Sequence, residues 1–332
     1  MRNEILRVCD LRNESRQFGR VTPILRGVSF SLGTREILAI VGESGCGKSM
    51  TLQSILQLPP TNIYTTGGSI QLQGRELTAC TAQELSAIRG REIGMIFQDP
   101  VRSLDPTMTI ERQMLTTIQA HQPVSKSQAR AMTRETLTEV GFDTPEQILR
   151  RYPHTLSGGQ CQRVMIAIAL LLSPRVLLAD EPTTSLDVIA QYEILDLLRS
   201  LKEKRDISIL FVSHDLRVVS SLADRIAVMY RGKIVEVGDT EQILHQPQHP
   251  YTKSLLSSAP SVTYAPKSLI NTHQLRRAIP PEYTGCPYTG ICPEAMNICL
   301  KKAPVYAEDE AGHGSACWLR RSKRLQRERD YV

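Results

Sequence analysis

The sequence lacks an apolar run long enough to cross a membrane. Its longest run, Val164–Leu172, spans nine residues and is followed at once by Ser173 and Pro174, whereas a hydrocarbon core requires about 20. The opening residues, MRNEILRVCD, also lack the apolar stretch of a secretory signal. These absences argue against a helical membrane protein and a secreted one, and we expect the protein to stay inside the cell.

An internal repeat is also absent, so we expect one functional unit per chain. Of the 332 residues, 41% are apolar and 22% are charged, an ordinary globular composition for one large domain or two common ones. Much of the net charge of +6 lies in the tail 319–329. Such a tail can bind nucleic acid or an anionic membrane, but a solvated terminus is the commoner case. We therefore expect no nucleic-acid partner.

Disulfides are not indicated, because thiols inside the cell are kept reduced. Of the eight cysteines, four are scattered and four gather near the end of the chain, at Cys286, Cys292, Cys299 and Cys317. Their spacing, C-x5-C-x6-C-x17-C, is neither the C-x2-C of common zinc sites nor the run of a ferredoxin. The spacing alone makes a metal site only one reading among several, but the clustering marks a distinct region.

Apolar runs of strand length alternate with helical patterns. The runs Ile37–Val41, Val176–Ala179 and Ile207–Val212 do not alternate with polar residues, which is typical of strands buried on both faces of a parallel sheet. Between two of them, Val188–Lys204 has apolar residues at helical spacing. Strands that alternate with helices predict an α/β fold.

The pattern changes in three places. From Pro100 to about Tyr152 the sequence is polar and helix-forming, which predicts an inserted helical subdomain. Ile226–Val237 predicts a hairpin that turns at Arg231-Gly232. After Gln246 prolines become frequent, which indicates a linker and a small appended region.

A glycine-rich loop follows the strand predicted at Ile37–Val41. It matches the pattern G-x-x-x-x-G-K-[ST], in which backbone N–H groups and the next helix's N-terminus face phosphate oxygens. We expect Lys48 to reach the β- and γ-phosphates and the Ser49 hydroxyl to ligate Mg²⁺. The predicted nucleotide-binding residues are Gly42, Glu43, Ser44, Gly45, Cys46, Gly47, Lys48 and Ser49.

Two carboxylates end the strand predicted at Val176–Ala179. Asp180 at such a strand end can hold Mg²⁺ through water, and Glu181 is then placed to polarise the attacking water. Taken alone, the pair could be surface acids. Downstream of a complete phosphate loop, it indicates ATP hydrolysis.

The pentapeptide LSGGQ at Leu156–Gln160 narrows the class. A capped helix start with two glycines can be merely structural, but with the two motifs above it resembles the signature of ATP-binding cassette (ABC) proteins. The resemblance implies an α/β P-loop NTPase fold: a RecA-like parallel core, an antiparallel β subdomain and an inserted helical subdomain. It also implies that the signature closes on the γ-phosphate held by a partner subunit. The predicted second anion cradle consists of Ser157, Gly158, Gly159 and Gln160.

Other positions resemble the family one by one. Gln98 is similar to the glutamine that senses Mg²⁺ and water and links to the membrane subunit. Ser185–Asp187 resembles the loop that crosses the dimer interface, and His214 resembles the histidine that contacts the γ-phosphate. The implied catalytic residues are Glu181, His214 and Gln98, and the implied Mg²⁺ ligands are Ser49, Gln98 and Asp180.

One position departs from the family. Where the family usually has an aromatic residue that stacks on adenine, this chain has Ser15, and Phe18 is the nearby candidate to replace it. The departure concerns base selection and leaves the phosphate chemistry untouched.

Four longer stretches, VGESGCGKSMT, DPVRSLDPTMTI, RYPHTLSGG and HPYTKSLLSSAP, resemble the ATP subunits of peptide and nickel importers. The resemblance covers essentially the whole chain. It implies an ABC ATPase domain at 1–245, with its helical subdomain at about 100–165, and a cysteine-containing extension at 246–332.

This resemblance also implies partners and a location. We expect a second cassette subunit, identical or related, two permease subunits that face Asp99–Met108, and an external solute-binding protein. The ATPase would act at the cytoplasmic face of a bacterial inner membrane. The expected solute is a short peptide, with nickel or a metal chelate as the alternative. A soluble ATPase that acts on ribosomes or DNA is the alternative from another class.

The same branch carries the four-cysteine pattern in its C-terminal extension. The resemblance implies a [4Fe–4S] cluster on Cys286, Cys292, Cys299 and Cys317, with zinc and reduced, unliganded thiols as the alternatives. An extension of roughly eighty residues has little core of its own, so a metal would stabilise it. We expect this region to take no part in ATP hydrolysis.

Overall fold

The computed structural model describes residues 3–184, 186–258 and 284–320. The predicted interface residue Ser185 and most of the basic tail lie outside the described residues. The strands of the described part are β1 (Glu4–Gln17), β2 (Arg20–Gly33), β3 (Ile37–Val41), β4 (Ile63–Leu72), β5 (Arg75–Glu76), β6 (Ile93–Ile96), β7 (Val176–Asp180), β8 (Ser208–Ser213), β9 (Arg225–Tyr230), β10 (Lys233–Asp239), β11 (Ala307–Glu308) and β12 (Gly314–Ser315).

The α-helices of the described part are α1 (Lys48–Ile55), α2 (Ala82–Ile88), α3 (Pro100–Ser103), α4 (Ile110–His121), α5 (Lys126–Glu139), α6 (Pro145–Leu149), α7 (Gly158–Leu170), α8 (Val188–Arg205), α9 (Leu216–Leu222), α10 (Thr240–His245), α11 (Pro250–Ser258) and α12 (Asn297–Lys301). Two short 3₁₀ helices among the described residues cover Leu77–Ala79 and Pro153–Thr155.

The larger sheet of the described residues has the strand order β11-β12-β10-β9-β3-β8-β7-β6. The pairs from β9 through β3, β8 and β7 to β6 are parallel. Every residue of β3, β7 and β8 is buried, because helices cover both faces of a parallel sheet. The predicted α/β core is confirmed, and the hairpin predicted at Arg231-Gly232 joins β9 to β10.

The smaller sheet is antiparallel, with the order β2-β1-β4-β5. Its strands β1 and β2 have 14 residues each. Register shifts interrupt their pairing, and the last two residues of β1, Arg16 and Gln17, are exposed. Such β-bulges bend and twist a strand locally, so the long β1–β2 hairpin can extend past the part that packs on the core.

The predicted helical insertion lies between β6 and β7 and consists of α3 to α7. Its helices share an apolar interior with the rest of the cassette, to which α4 contributes Ile110, Met114 and Ile118 and α7 contributes Val164. Among the described residues no helix is both long and apolar enough to span a membrane.

The region after Gln246 is attached to the main sheet. Strand β12 pairs with β10, and β11 pairs with β12. Side chains of this region, among them Tyr251 and Tyr288, belong to the same apolar cluster as the cassette core. The described part of the extension therefore shares an apolar core with the cassette. The sequence had predicted only that an extension with little core of its own would be stabilised by a metal.

Candidate functional site

The phosphate loop is shaped by glycines that no other residue can replace without strain. A Cβ at Gly42 would lie 2.2 Å from the carbonyl oxygen of Met229, and a Cβ at Gly47 would lie 2.7 Å from Leu25 Cδ2. Gly45 and Gly47 also have φ angles of +77° and +112°, which favour glycine. The close approach to β9 and the left-handed turns together bring the loop to the N-terminus of α1.

Lys48 is buried at the first turn of α1. Its Nζ donates hydrogen bonds to the carbonyl oxygens of Gly42 at 2.8 Å and Glu43 at 3.1 Å, and lies 3.9 Å from Glu181 Oε1. The ammonium is thus held between the loop and the catalytic carboxylate predicted from the sequence. This position suits a cation that meets the terminal phosphates of a nucleotide.

Ser49 and Asp180 are two of the three predicted Mg²⁺ ligands, and they lie in hydrogen-bond contact. The Ser49 hydroxyl donates a hydrogen bond of 2.8 Å to Asp180 Oδ1. Asp180 is 6% exposed, and its pKa is raised by burial first and by the neighbouring Glu181 as well, against the effect of the Ser49 hydrogen bond. Hydroxyl and carboxylate oxygens are the ligands that Mg²⁺ prefers, and a cation here would offset the cost of burying the ionised carboxylate.

Glu181 lies where the predicted catalytic residues meet. Its Oε2 is 3.0 Å from His214 Nδ1 and 3.4 Å from Gln98 Nε2, and it accepts a hydrogen bond of 3.0 Å from Thr184 Oγ1. Glu181 has φ +44°, a conformation that costs free energy in a residue with a Cβ. Thr184 was not among the residues predicted from the sequence, although its place three residues after Glu181 in the turn could have suggested this contact.

Sheet topology explains why these residues meet. Gln98 follows β6, Asp180 ends β7, His214 follows β8 and the phosphate loop follows β3. These strands are parallel neighbours, so their carboxyl ends lie at one edge of the sheet. Ligands of open α/β sheets bind at this edge.

The signature Leu156–Gln160 lies at the start of α7. Ser157 caps α7 in a capping box: its Oγ accepts from the Gln160 N–H at 3.3 Å, and Gln160 Oε1 accepts from the Ser157 N–H at 3.1 Å. A Cβ at Gly158 would meet Leu186 at 3.9 Å, so the signature adjoins the loop before α8. Within the described ranges no hydrogen bond or ion pair connects the signature to the phosphate loop.

The departure at the predicted adenine position is visible in the structure. Ser15 Oγ accepts a hydrogen bond from Asn62 Nδ2 at 3.3 Å. Phe18 lies at the turn between β1 and β2 with its side chain fully exposed. Ser15 therefore offers a hydroxyl at the predicted adenine position, and among the described residues no ring or cation packs on Phe18.

The four clustered cysteines line one small cavity of about 10 Å³, together with His249 and Tyr288. Burial raises the pKa of Cys292 and of Cys317 to about 11, and the other thiols of the cavity add to both shifts. All eight cysteines lie in the described part of the chain, and each is a free thiol. Among the residues that the structure describes, no group of three or more His, Cys, Asp or Glu is arranged to hold a metal ion.

An aromatic cluster connects this cavity to the phosphate loop. Tyr251 packs against Tyr230 and Tyr288 at ring-centroid distances of 4.5 and 5.5 Å. The Tyr251 hydroxyl accepts a hydrogen bond of 3.0 Å from the Glu43 N–H in the phosphate loop. Tyr251 was not predicted as a site residue, because nothing local in the HPYT stretch signals a contact across 208 positions.

A buried carboxylate fastens the extension to the cassette. Glu236 on β10 is fully buried and accepts hydrogen bonds from the backbone N–H groups of Gln248 at 2.6 Å and His249 at 2.9 Å. Its Oε1 also lies 2.8 Å from His313 Nε2. Burial lowers the pKa of His249 to about 4, which keeps that ring neutral, while its Nδ1 accepts from the Tyr251 N–H.

Comparison with known proteins supports the geometry. Residues 25–184 match the family description "ABC transporter", and residues 235–299 match "Oligopeptide/dipeptide transporter, C-terminal region". The chain is 41% identical over 321 residues to the dipeptide transport ATP-binding protein DppD of Bacillus subtilis, covering 95% of each chain. It is 44% identical to the oligopeptide transport ATP-binding protein OppD of the same organism, covering 95% of this chain and 88% of that one.

Solved structures agree in fold. The dimeric ATP-binding cassette MJ0796, bound to ADP and Pi in a post-hydrolysis state, is 27% identical and superposes with a TM-score of 0.63 over 71% of this chain and 98% of that chain. The cbiO1 subunit of Clostridium perfringens gives 25% identity and a TM-score of 0.63 over 74% and 92% of the two chains. The chain belongs to the ATP-binding subunits of ABC transporters, which couple ATP hydrolysis to transport, and within them to the group with the oligopeptide/dipeptide transporter C-terminal region.

Proposed function

We propose that Glu181 is the general base of ATP hydrolysis in this chain. The observation that carries the proposal is the meeting of Lys48, Gln98 and His214 at the Glu181 carboxylate. Glu181 would accept the proton of the attacking water, which Gln98 helps to position. His214 would hold the γ-phosphate, and Asp180 with Ser49 would hold the Mg²⁺ that neutralises phosphate charge.

The second half of the site is proposed to come from a partner cassette. Within the described residues no hydrogen bond or ion pair links the signature to the chain's own phosphate loop. The Ser157 and Gln160 N–H groups are used in the capping box, so the Gly158 and Gly159 N–H groups at the start of α7 would face another subunit. Beside it, the start of α8 exposes three large apolar side chains, Val188, Ile189 and Tyr192. Exposed apolar groups of this kind are typical of interfaces, and they support a dimer with an identical or related subunit.

The transported solute is proposed to be a short peptide. The support is that DppD and OppD are dipeptide and oligopeptide transport proteins, together with the match to the oligopeptide/dipeptide transporter C-terminal region. These names do not support nickel as the solute, and they do not support an action on ribosomes or DNA. Phe97 and Val101 flank Gln98 and are about half exposed, which favours a permease contact along Asp99–Met108. The chain would then act peripherally at the cytoplasmic face of the inner membrane.

Peptide transport is tested with the assembled transporter in proteoliposomes. Short peptides delivered by the solute-binding protein should stimulate ATPase activity and accumulate inside, and the Glu181→Gln assembly should do neither. Stimulation by nickel chelates with no response to peptides would contradict the proposed solute. A soluble chain whose ATPase responds to ribosomes or DNA would contradict the transport function.

The cysteine cavity is proposed to hold a [4Fe–4S] cluster. The support is the donor chemistry: Cys286, Cys292, Cys299 and Cys317 line one cavity, and four thiolates suit such a cluster or zinc. The described thiols are not arranged around a metal position, so the bound group would have to draw them together. Burial raises the pKa of Cys292 and Cys317, and a bound metal centre would favour their thiolate forms instead. It would also cross-link the extension. Iron and sulfide analysis of anaerobically purified chain should give a cluster that Cys292→Ser removes. Zinc, or a metal-free chain with four titratable thiols, would contradict it.

A further inference from the structure

A basic cavity of about 360 Å³ lies between the antiparallel sheet, the β9–β10 hairpin and the extension. Its cationic wall consists of Arg12, Arg26, Arg231 and Lys233, and Thr284 and Pro287 of the extension close another side. None of the residues from Gly42 to Ser49 lines it, so it is separate from the phosphate site. Its volume is in the range of small-molecule sites.

The cations of this cavity are only partly neutralised. Arg12 pairs with Asp10 at 2.8 Å, and the Arg231 guanidinium lies 5.6 Å from the centroid of the Tyr230 ring. Within the described residues, the side chains of Arg26 and Lys233 have no hydrogen bond or ion pair, and both are partly buried.

Burial and like charge act together on these two groups. The pKa of Arg26 is lowered by burial and by Arg231. The pKa of Lys233 is lowered by burial first and then by Arg26 and Arg12. Partly buried cations that repel each other are costly unless an anion is shared between them. The only carboxylate on the cavity wall, within the described residues, is Glu14, which pairs with Arg16 at 2.7 Å.

We propose that the basic cavity is a second ligand site, which binds a small anion through its phosphate group. Guanidinium forks bind phosphate oxygens in a bidentate manner, and an ammonium adds a compact charge. The phosphate can belong to a free metabolite such as a nucleotide or to an acidic lipid headgroup. With walls from three parts of the chain, the anion would hold the extension against the cassette.

The site is connected to the phosphate loop through one turn. The Arg26 N–H donates to the Gly232 carbonyl oxygen at 2.8 Å, and the Gly232 N–H donates to the Cys46 carbonyl oxygen at 2.8 Å. A Cβ at Gly232 would lie 2.0 Å from the Ile24 carbonyl oxygen, so this turn is tightly packed. An anion that fixes the turn should therefore change the affinity for ATP, and ATP should change the affinity for the anion by the same factor.

The direct test is calorimetric titration of pyrophosphate into the full chain. The Lys48→Ala chain is used so that the phosphate loop contributes little, and Arg26→Gln/Lys233→Gln removes the unpaired cations. Lys126→Gln/Arg134→Gln, an equal charge change at exposed positions of α5, is the matched control. We expect one site in Lys48→Ala, at least about tenfold weaker binding when the cavity cations are also removed, and no change with the control pair.

Three results would overturn the proposal: no binding once Lys48 is replaced, equal affinity without the cavity cations, or equal loss with the control pair. Competition identifies the source of the phosphate. Displacement of pyrophosphate by ADP supports a nucleotide, and displacement by phosphatidylglycerol vesicles supports a lipid headgroup. Thermal unfolding of each variant confirms that it is folded, and removal of two repelling cations should not lower the midpoint.

Discussion

The phosphate site and the cysteine cavity are neighbours with opposite constructions. The phosphate site takes its residues from the ends of four parallel strands, and its backbone is fixed by close contacts at Gly42 and Gly47. The cysteine cavity takes three of its thiols from loops and the fourth, Cys299, from the short helix α12. Burial is the largest influence on the pKa of Cys292 and of Cys317, and neighbouring thiols add to it. The first site has its geometry from the fold. In the second, the fold brings the donors together and a ligand would have to arrange them.

The largest effect is expected from the substitution that removes the proposed general base of the phosphate site. Glu181→Gln keeps the shape and the contact with Gln98 but removes the base, so steady-state ATPase of the assembled transporter should fall about 100-fold or more. Nucleotide affinity should change little, because Lys48 still meets the phosphates. Phosphate release measures the ATPase rate, and an equilibrium titration measures the affinity for ATP. Glu193→Gln, an exposed change on α8, serves as the control, and an active Glu181→Gln assembly would refute the assigned base.

The next largest effect is expected from a substitution that weakens the attachment of the extension to the cassette. Glu236→Ala removes the buried acceptor of two backbone N–H groups and of His313, which should cost about 3 kcal/mol in the free energy of unfolding. Glu236→Gln keeps one acceptor and should cost less. Trp318, the single tryptophan of the chain, lies in the extension, so its fluorescence in a urea titration reports this unfolding. Equal stability of Glu236→Ala and the wild type would contradict the proposed fastening.

The phosphate site was more predictable from the sequence than the extension that holds the cysteine cavity. The strands β3, β7 and β8 follow from unbroken apolar runs, and the glycine and acidic motifs follow from local spacing, so the phosphate site could be assembled in advance. The attachment of the extension could not. Strands β11 and β12 have two residues each and no apolar pattern, and they form because β10 offers a free edge to pair with.

A third prediction concerns the contact between the two regions. Tyr251→Phe removes the hydroxyl that accepts from the Glu43 N–H but keeps the ring between Tyr230 and Tyr288. One lost hydrogen bond of about 1 kcal/mol should raise the KM for ATP about fivefold, with little change in kcat. Tyr306→Phe, whose hydroxyl pairs with Glu308 away from the loop, is the matched control. A fall in kcat at unchanged KM would show that Tyr251 does not act through the phosphate loop.

The smallest predicted effect concerns how adenine is held next to the phosphate site. Ser15→Tyr supplies the ring that the family usually has at this position, and stacking worth about 1 kcal/mol should lower the KM for ATP about fivefold. The KM for inosine triphosphate and guanosine triphosphate should fall less if the ring aligns adenine best. Phe18→Ala is the companion change. If Phe18→Ala alone weakens ATP binding fivefold, Phe18 already provides the stacking surface.

The central claim is that one chain provides the phosphate loop and its partner provides the signature. The most direct measurement compares ATP binding by the isolated Ser157→Arg chain with ATPase activity of the transporter that contains it. A site shared between subunits predicts wild-type ATP affinity within about twofold and hydrolysis reduced at least about tenfold, because one oxyanion-type donor is lost. Joint loss of both properties in the isolated chain, or full ATPase activity of the assembled variant, would contradict the account.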